Sequence, residues 1–220
     1  MSTTALTINH RLFKEKELFR FSQEKLADYC TPPWEKEIFR FILAWLDPSD
    51  SIEQYSSGTT GRSKKLNLLK RSMMHSAMNT CRYFGLGKGQ SALLCLPMEY
   101  IAGKMMVVRS MVAGLDLQLA EPKSRLDLNG FPAIEFCAMV PLQLLNLLKD
   151  AAHFPRIRKI LVGGAEISLL LENQLAHVPA EVYASFGMAE TCSHIALRCL
   201  NGPGRQPDYH ALPGVNLGQD

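Results

Sequence analysis

At 220 residues, 47% hydrophobic and 20% charged, the chain has the makeup of a globular protein long enough to bury a sizeable core, as one substantial domain or two small ones. Its net charge of +3 is small, and lysine and arginine are dispersed apart from the cluster running from Arg62 through Lys65 to Lys70 and Arg71. That pattern argues against a broad nucleic-acid footprint and for one local anion site. Six cysteines without paired spacing and an N-terminus without a signal-peptide layout predict reduced thiols in the cytoplasm; the apolar run from Ile101 to Leu115 is broken by Lys104 and Arg109, so no membrane attachment is expected.

Residues 1–50 read as a helical N-terminal segment and residues 51–220 as an α/β domain. The first part carries an apolar stripe of Leu12, Phe13, Leu18, Phe19, Phe21 and Leu26. Thr31 and Pro32 then supply an N-cap and a compatible first turn for a helix whose apolar positions, Trp34, Ile38, Phe41, Ile42 and Trp45, form one face; Asp47-Pro48 stops it. That aromatic spacing is core rather than a cofactor box.

From Tyr55 to Lys65 the chain reads YSSGTTGRSKK, a run of hydroxyl and backbone N–H donors beside Arg62, Lys64 and Lys65. Such a loop suits a polyphosphate cradle, and it equally suits a flexible hairpin with solvated lysines. It departs from the G-x-x-x-x-G-K-[ST] phosphate loop because Arg62 and Ser63 follow Gly61. Strands are expected before it (Ile52, Tyr55) and after it (Leu66, Leu68).

A helix over 72–83 follows, carrying Met73, Met74, Met78 and Cys81 and ending at Gly85-Leu86-Gly87. Strands are then expected at 92–96, 115–119, 136–140, 159–162, 182–185 and 195–200, with helices at 101–112, from Pro141 through Leu148, and at 169–175. Strands separated by such helices imply crossover units and a largely parallel sheet. Leu212, Val215 and Leu217 look like one more strand. Ligands of open α/β sheets gather beyond the carboxyl ends of the strands, where this chain places LPMEYIAG (96–103), GGAEIS (163–168) and SFGMAET (185–191).

The order of these turns resembles the adenylate-forming superfamily of acyl-CoA synthetases, adenylation domains and luciferases, and within it the o-succinylbenzoate–CoA ligases of menaquinone biosynthesis. The S-G-T-T-G-x-P-K-G pattern is matched by Ser57, Gly58, Thr59, Thr60, Gly61 and Lys64, with Ser63 and Lys65 departing from it. L-P-x-x-H-x-x-G is matched at Leu96, Pro97 and Gly103, with Tyr100 for histidine. Gly163-Gly164-Ala165 matches the adenine-contacting turn. Gly187, Met188, Glu190 and Thr191 match Y-G-M-T-E-T, with Phe186 for tyrosine and Ala189 for threonine.

The resemblance implies a large N-terminal domain of the adenylate-forming fold, truncated at both ends and without the small C-terminal domain that carries a lysine. It implies activation of a carboxylic acid by ATP and Mg²⁺ to an acyl-adenylate, then transfer to CoA. Thr59, Lys64 and Glu190 would be catalytic, with Glu190 also binding Mg²⁺. Ser56, Ser57, Gly58, Thr59, Thr60, Gly61 and Lys64 would hold phosphates; Gly163, Gly164, Ala165, Ser185, Phe186, Gly187 and Met188 would hold the nucleoside, Phe186 by stacking. Its partners would be a small carboxylic acid and CoA, with neither nucleic acid nor membrane, and a homo-oligomer is compatible with this. The isolated chain would turn over weakly or not at all.

Other readings stand beside these. Glu190 also reads as an ordinary exposed carboxylate, Phe186 as a structural aromatic and Tyr100 as either a lining of the acyl tunnel or an interfacial tyrosine. Arg109 in an apolar helix needs a counter-charge, so Arg109 and Ser193 read as contacts for the second carboxylate of a diacid, or Arg109 as a structural ion pair. Ala189 removes a hydroxyl, which leaves a degenerate nucleotide- or acyl-binding domain as the alternative function. Cys192, His194 and Cys199 lack a second ligand pair for zinc, and His75, His153 and His177 are isolated.

Overall fold

The computed structural model of the chain describes residues 4–56, 64–149, 156–216 and 218. It opens with a hairpin of β1 (Ala5–Ile8) and β2 (Arg11–Lys14), turned by Asn9 and His10 at φ 46° and 69°. Paired left-handed residues match the twist of a two-residue hairpin. The expected helical start is therefore corrected at residues 5–14. Phe13 is buried and Leu12 exposed, which is the period of a strand. β1 also pairs in parallel with β6 (Asp116–Leu119), so the N-terminal segment contributes to the main sheet.

Helices α1 (Glu15–Ala27) and α2 (Pro33–Leu46) follow. The buried face of α2 contains Ile38, Phe41, Ile42 and Trp45, as its spacing predicts, together with Phe39. Thr31 does not cap it: Pro32 occupies the cap position, and the Thr31 hydroxyl donates to Asp28 across 3.1 Å. Strands β3 (Ser51–Ser56) and β4 (Lys64–Leu69) form a separate antiparallel pair, with Ser56 opposite Lys64. Ser57, Gly58, Thr59, Thr60 and Gly61 lie outside the described residues.

Thereafter strands and helices alternate: α3 (Lys70–Phe84), β5 (Ser91–Leu94), α4 (Ile101–Ala113), β6, β7 (Ile134–Met139), α5 (Pro141–Leu148), β8 (Ile157–Val162), α6 (Leu169–Gln174) and β9 (Glu181–Gly187). Strands β10 (His194–Cys199) and β11 (His210–Ala211) complete the sheet, ordered β11-β10-β9-β8-β7-β5-β6-β1-β2. From β1 to β9 the neighbours are parallel, and the strands at either edge are antiparallel. Leu212 and Val215 lie beyond β11 in a turn closed by Val215 N–H on Leu212 O, rather than in a strand; Leu217 is outside the described residues.

Alternation along the central strands builds two cores. Ala92, Leu94 and Phe136 face α1 to α4, whereas Leu93, Cys137 and Ile160 face α5 and α6. Helices on both faces explain why β5, β7 and the second half of β8 are largely apolar. Helix α4 packs against α3 and the sheet, so Met105 through Ser110 are all buried, Arg109 among them. Gly85 and Gly114 end α3 and α4 in the left-handed conformation, which returns the chain to the sheet. No helix among the described residues is long and apolar enough to cross a membrane.

Candidate functional site

Three of the sequence-predicted turns lie at the carboxyl ends of the parallel strands. After β8, Gly163 N–H donates to Met139 O across 3.1 Å, and Gly164 adopts φ 83°. A Cβ on Gly163 would collide with Ser185 Oγ, which itself donates to Val162 O across 2.9 Å. Gly163 and Ser185 thus interlock the ends of β8 and β9. A Cβ on Gly187 would strike the backbone of Ser193 and His194, so β9 and β10 approach too closely there for any other residue.

Beyond Ser185 the side chains turn outward. Phe186 and Met188 are about half exposed and Glu190 is exposed. The turn between them is closed by Thr191, whose Oγ1 accepts from Met188 N–H across 3.1 Å and lies 2.6 Å from Ser193 O. Cys192 completes it in the left-handed region at φ 63°, a conformation costly for a residue with a Cβ. Phe186 packs against Tyr209 at 5.9 Å, and the Arg198 guanidinium sits 5.6 Å over the other ring. Arg198 is held bidentately by Glu172, which also accepts from Arg205. Burial pushes the Glu172 carboxyl up, but the two arginines outweigh it and hold it below its ordinary value.

The turn after β5 joins the β3–β4 hairpin through two residues that the sequence reading did not place at a site. Gln54 is buried in β3 and donates to Tyr55 O at 2.8 Å and Glu99 O at 2.9 Å. Lys104 Nζ donates to Gln54 Oε1 at 2.7 Å and Glu53 O at 3.1 Å, and burial lowers its pKa. Gly103 lets α4 approach the 96–97 backbone, since a Cβ there would strike the Pro97 carbonyl. Tyr100 is half exposed at the start of α4, and Lys64 is exposed on β4. A cleft of about 470 Å³, lined by Ser91, Glu135 and Arg156 among others, opens at the opposite, amino ends of β5, β7 and β8.

Arg109 is 1% exposed, and no carboxylate lies within ion-pair distance of it among the described residues. Its Nη2 donates to Ser193 Oγ at 2.8 Å and its Nη1 faces Met106 Sδ at 3.7 Å, while the buried Nε has no hydrogen-bond partner. Among the described residues there is thus no structural ion pair to Arg109 of the kind considered from sequence. Burial pulls the guanidinium pKa down to about 10, against the opposing effect of Cys81, whose thiol burial pushes up to about 11. Ser193 Oγ also lies 3.3 Å from His194 Nδ1, and His194 Nε2 lies 3.2 Å from Thr80 Oγ1. No group of three or more metal-ligating side chains occurs among the described residues.

Known proteins with the same fold and related sequences are found by comparison. The chain is 28% identical over 176 residues to 2-succinylbenzoate–CoA ligase of Staphylococcus aureus (strain MSSA476), a match covering 78% of this chain and 36% of that protein. The chain thus spans about a third of the length of the curated relatives it matches. Among solved structures, an acyl-CoA synthetase (AMP-forming)/AMP-acid ligase II-like protein from Dyadobacter fermentans superposes with a TM-score of 0.79 at 36% identity, over 89% of this chain and 57% of that one. The o-succinylbenzoate CoA synthetase of Bacillus subtilis, solved with the acyl-adenylate intermediate OSB-AMP, has a TM-score of 0.60 at 27% identity over 67% of this chain and 31% of that one. The AMP-binding enzyme profile matches residues 10–216, spanning all of the sheet but β1, both helical layers and the turns at the carboxyl ends of the strands, so the chain belongs to the AMP-binding enzyme family.

Proposed function

We propose that the intact protein is an AMP-forming acid–thiol ligase that activates an aromatic diacid of the o-succinylbenzoate class with ATP and passes the acyl group to CoA. The observation that carries the choice of acid is Arg109. A fully buried guanidinium with an unsatisfied Nε and no carboxylate partner among the described residues is an expensive feature unless an anion completes it. The second carboxylate of a diacid supplies that anion, and a planar guanidinium suits a carboxylate better than an ammonium does.

The remaining roles follow the family pattern, with residues 51–220 as the nucleotide and acyl portion. Ser56, Ser57, Gly58, Thr59, Thr60, Gly61 and Lys64 would bind the outer phosphates, with Thr59 and Lys64 stabilising charge as pyrophosphate departs. Gly163, Gly164 and Ala165 would admit adenine against the backbone, beside Ser185 and with the exposed Phe186 as its stacking face, followed by Gly187 and Met188. The exposed Glu190 offers a hard oxygen ligand for Mg²⁺, which favours carboxylates and retained water. Tyr100 would line the acyl entrance, with Arg109 and Ser193 deeper in.

Acid-dependent exchange of pyrophosphate into ATP by the intact protein tests this reading. Exchange should be supported by o-succinylbenzoate and poorly by aliphatic monoacids; a folded protein that exchanges with no acid is not an adenylating enzyme. That negative result would favour the second reading, a domain that binds nucleotide or acyl ligands without chemistry. Ala189 supports that second reading, because it lacks the hydroxyl the family usually places beside the phosphate.

A further inference from the structure

Arg109 stands at one end of a chain of polar contacts that crosses three elements. Its Nη2 lies 2.8 Å from Ser193 Oγ, Ser193 Oγ lies 3.3 Å from His194 Nδ1, His194 Nε2 lies 3.2 Å from Thr80 Oγ1, and Thr80 Oγ1 lies 3.0 Å from the backbone carbonyl of Ser76. Thr80 and His194 are both buried. The two ends of this chain have fixed polarity. A guanidinium only donates, and a carbonyl only accepts.

Those ends set every proton between them. The Thr80 hydroxyl must donate to Ser76 O, so Thr80 Oγ1 can only accept from His194, whose proton is then on Nε2. Nδ1 is left as an acceptor. Ser193 Oγ accepts from Arg109, and its single hydrogen goes to Nδ1. A doubly protonated His194 would instead aim a second N–H at Ser193 Oγ and put another cation beside Arg109. Burial, with the Arg109 charge adding to it, holds the His194 pKa down to about 3.

We propose that Thr80 and His194 are positioning residues which, through Ser193, orient the Arg109 guanidinium toward the second carboxylate of the acid. The proposal rests on reading Arg109 as the anchor of a diacid, and it refines the part played by Ser193. With its only hydrogen committed to His194, Ser193 cannot donate to a carboxylate. It occupies one Nη2 hydrogen of Arg109 and leaves Nε–H, the buried donor without a partner, for the ligand. Thr80 lies on α3 and His194 at the start of β10, so the chain also ties the arginine to two elements besides its own helix.

Two measurements on the intact protein test this. In the wild-type protein with ¹⁵N-labelled histidine, His194 should show the neutral Nε2–H form at pH 7; an Nδ1–H form or an imidazolium would overturn the proposal without any variant being needed. In steady-state kinetics, Thr80→Val, which keeps shape but removes the acceptor, should raise KM for o-succinylbenzoate about tenfold, equivalent to about 1.4 kcal/mol, with kcat little changed. The effect on a benzoate-type monoacid should be much smaller, and Thr80→Ser should restore the diacid KM. Arg109→Met separates the two levels of the argument. If it is selective for the diacid while Thr80→Val is not, the positioning role falls and the anchor stands. If Arg109→Met affects both acids alike, the anchor falls and the proposal falls with it.

Discussion

Arg109 Nη2 donates to Ser193 Oγ across 2.8 Å, joining α4 to the residue preceding β10 over a separation of 84 residues. The bond brings a buried cation to a neutral hydroxyl, with the strained Cys192 immediately before the serine. A cation in that position lowers the stability of the fold, because a hydroxyl returns only part of its lost hydration. Strain and a buried charge beside a neutral hydroxyl meet at one place, the pattern expected if Arg109 serves binding as proposed.

Replacing that charge should therefore stabilise the protein. Arg109→Met, similar in length and apolar like the surrounding Met106 and Val108, is expected to raise the unfolding free energy by about 1–4 kcal/mol in urea melts without acid present. The same variant should lose preference for a diacid. A loss of stability would mean that the guanidinium is structurally required.

Gly163 and Ser185 should be energetically coupled. Gly163→Ala brings a methyl group onto Ser185 Oγ and should cost about 1–3 kcal/mol. Ser185→Ala removes the bond to Val162 O, worth about 1 kcal/mol, but clears the space. The double variant should be more stable than the sum of the two losses predicts, and additive values in a denaturation cycle would reject the steric interlock.

Acid should destabilise the fold through His194. Its folded pKa is depressed from 6.5 to about 3, so between those values the unfolded chain binds the proton and the folded one does not. Stability is then fully present above about pH 6.5 and is lost as the pH falls toward 3, with a slope of up to about 1.4 kcal/mol per pH unit. His194→Gln should flatten that part of the profile. Parallel profiles for the two proteins between pH 7 and 4 would show that His194 titrates normally.

Glu172→Gln should cost about 3 kcal/mol, because it leaves Arg198 beside a neutral amide in a largely buried setting. Arg198 sits over Tyr209, and Tyr209 packs on Phe186, so the change should also loosen the aromatic pair at the proposed adenine face. Nucleotide affinity measured by titration should fall along with stability; an unchanged affinity would separate the Glu172 network from the site.

The elements legible in the sequence were those whose signal is local. The helical repeat of Ile38, Phe41, Ile42 and Trp45, the glycine stop at Gly85 and the apolar runs of β5, β7 and β8 each lie within a few turns of chain, where period and turn chemistry act. The errors arose where another partner competes with the expected local signal. Residues 5–8 become a strand because β6 offers an edge to pair with, and residues 11–14 fold back on them as a hairpin. Thr31 turns away from the α2 cap because Asp28 accepts its hydroxyl.

The candidate site divides in the same way. The order of the glycine-rich turns and the presence of an arginine in an apolar helix were properties of the sequence itself, since spacing and residue type carry them. That Arg109 has no carboxylate partner among the described residues, that Gln54 and Lys104 brace the turn after β5, and that Thr80 and His194 line up with Ser193 were decided by the tertiary structure. Each depends on which buried groups the sheet order brings together. Thr80 and His194 are 114 residues apart, and only the packing of α3 and α4 against the sheet brings the two side chains into the proposed support of one cation.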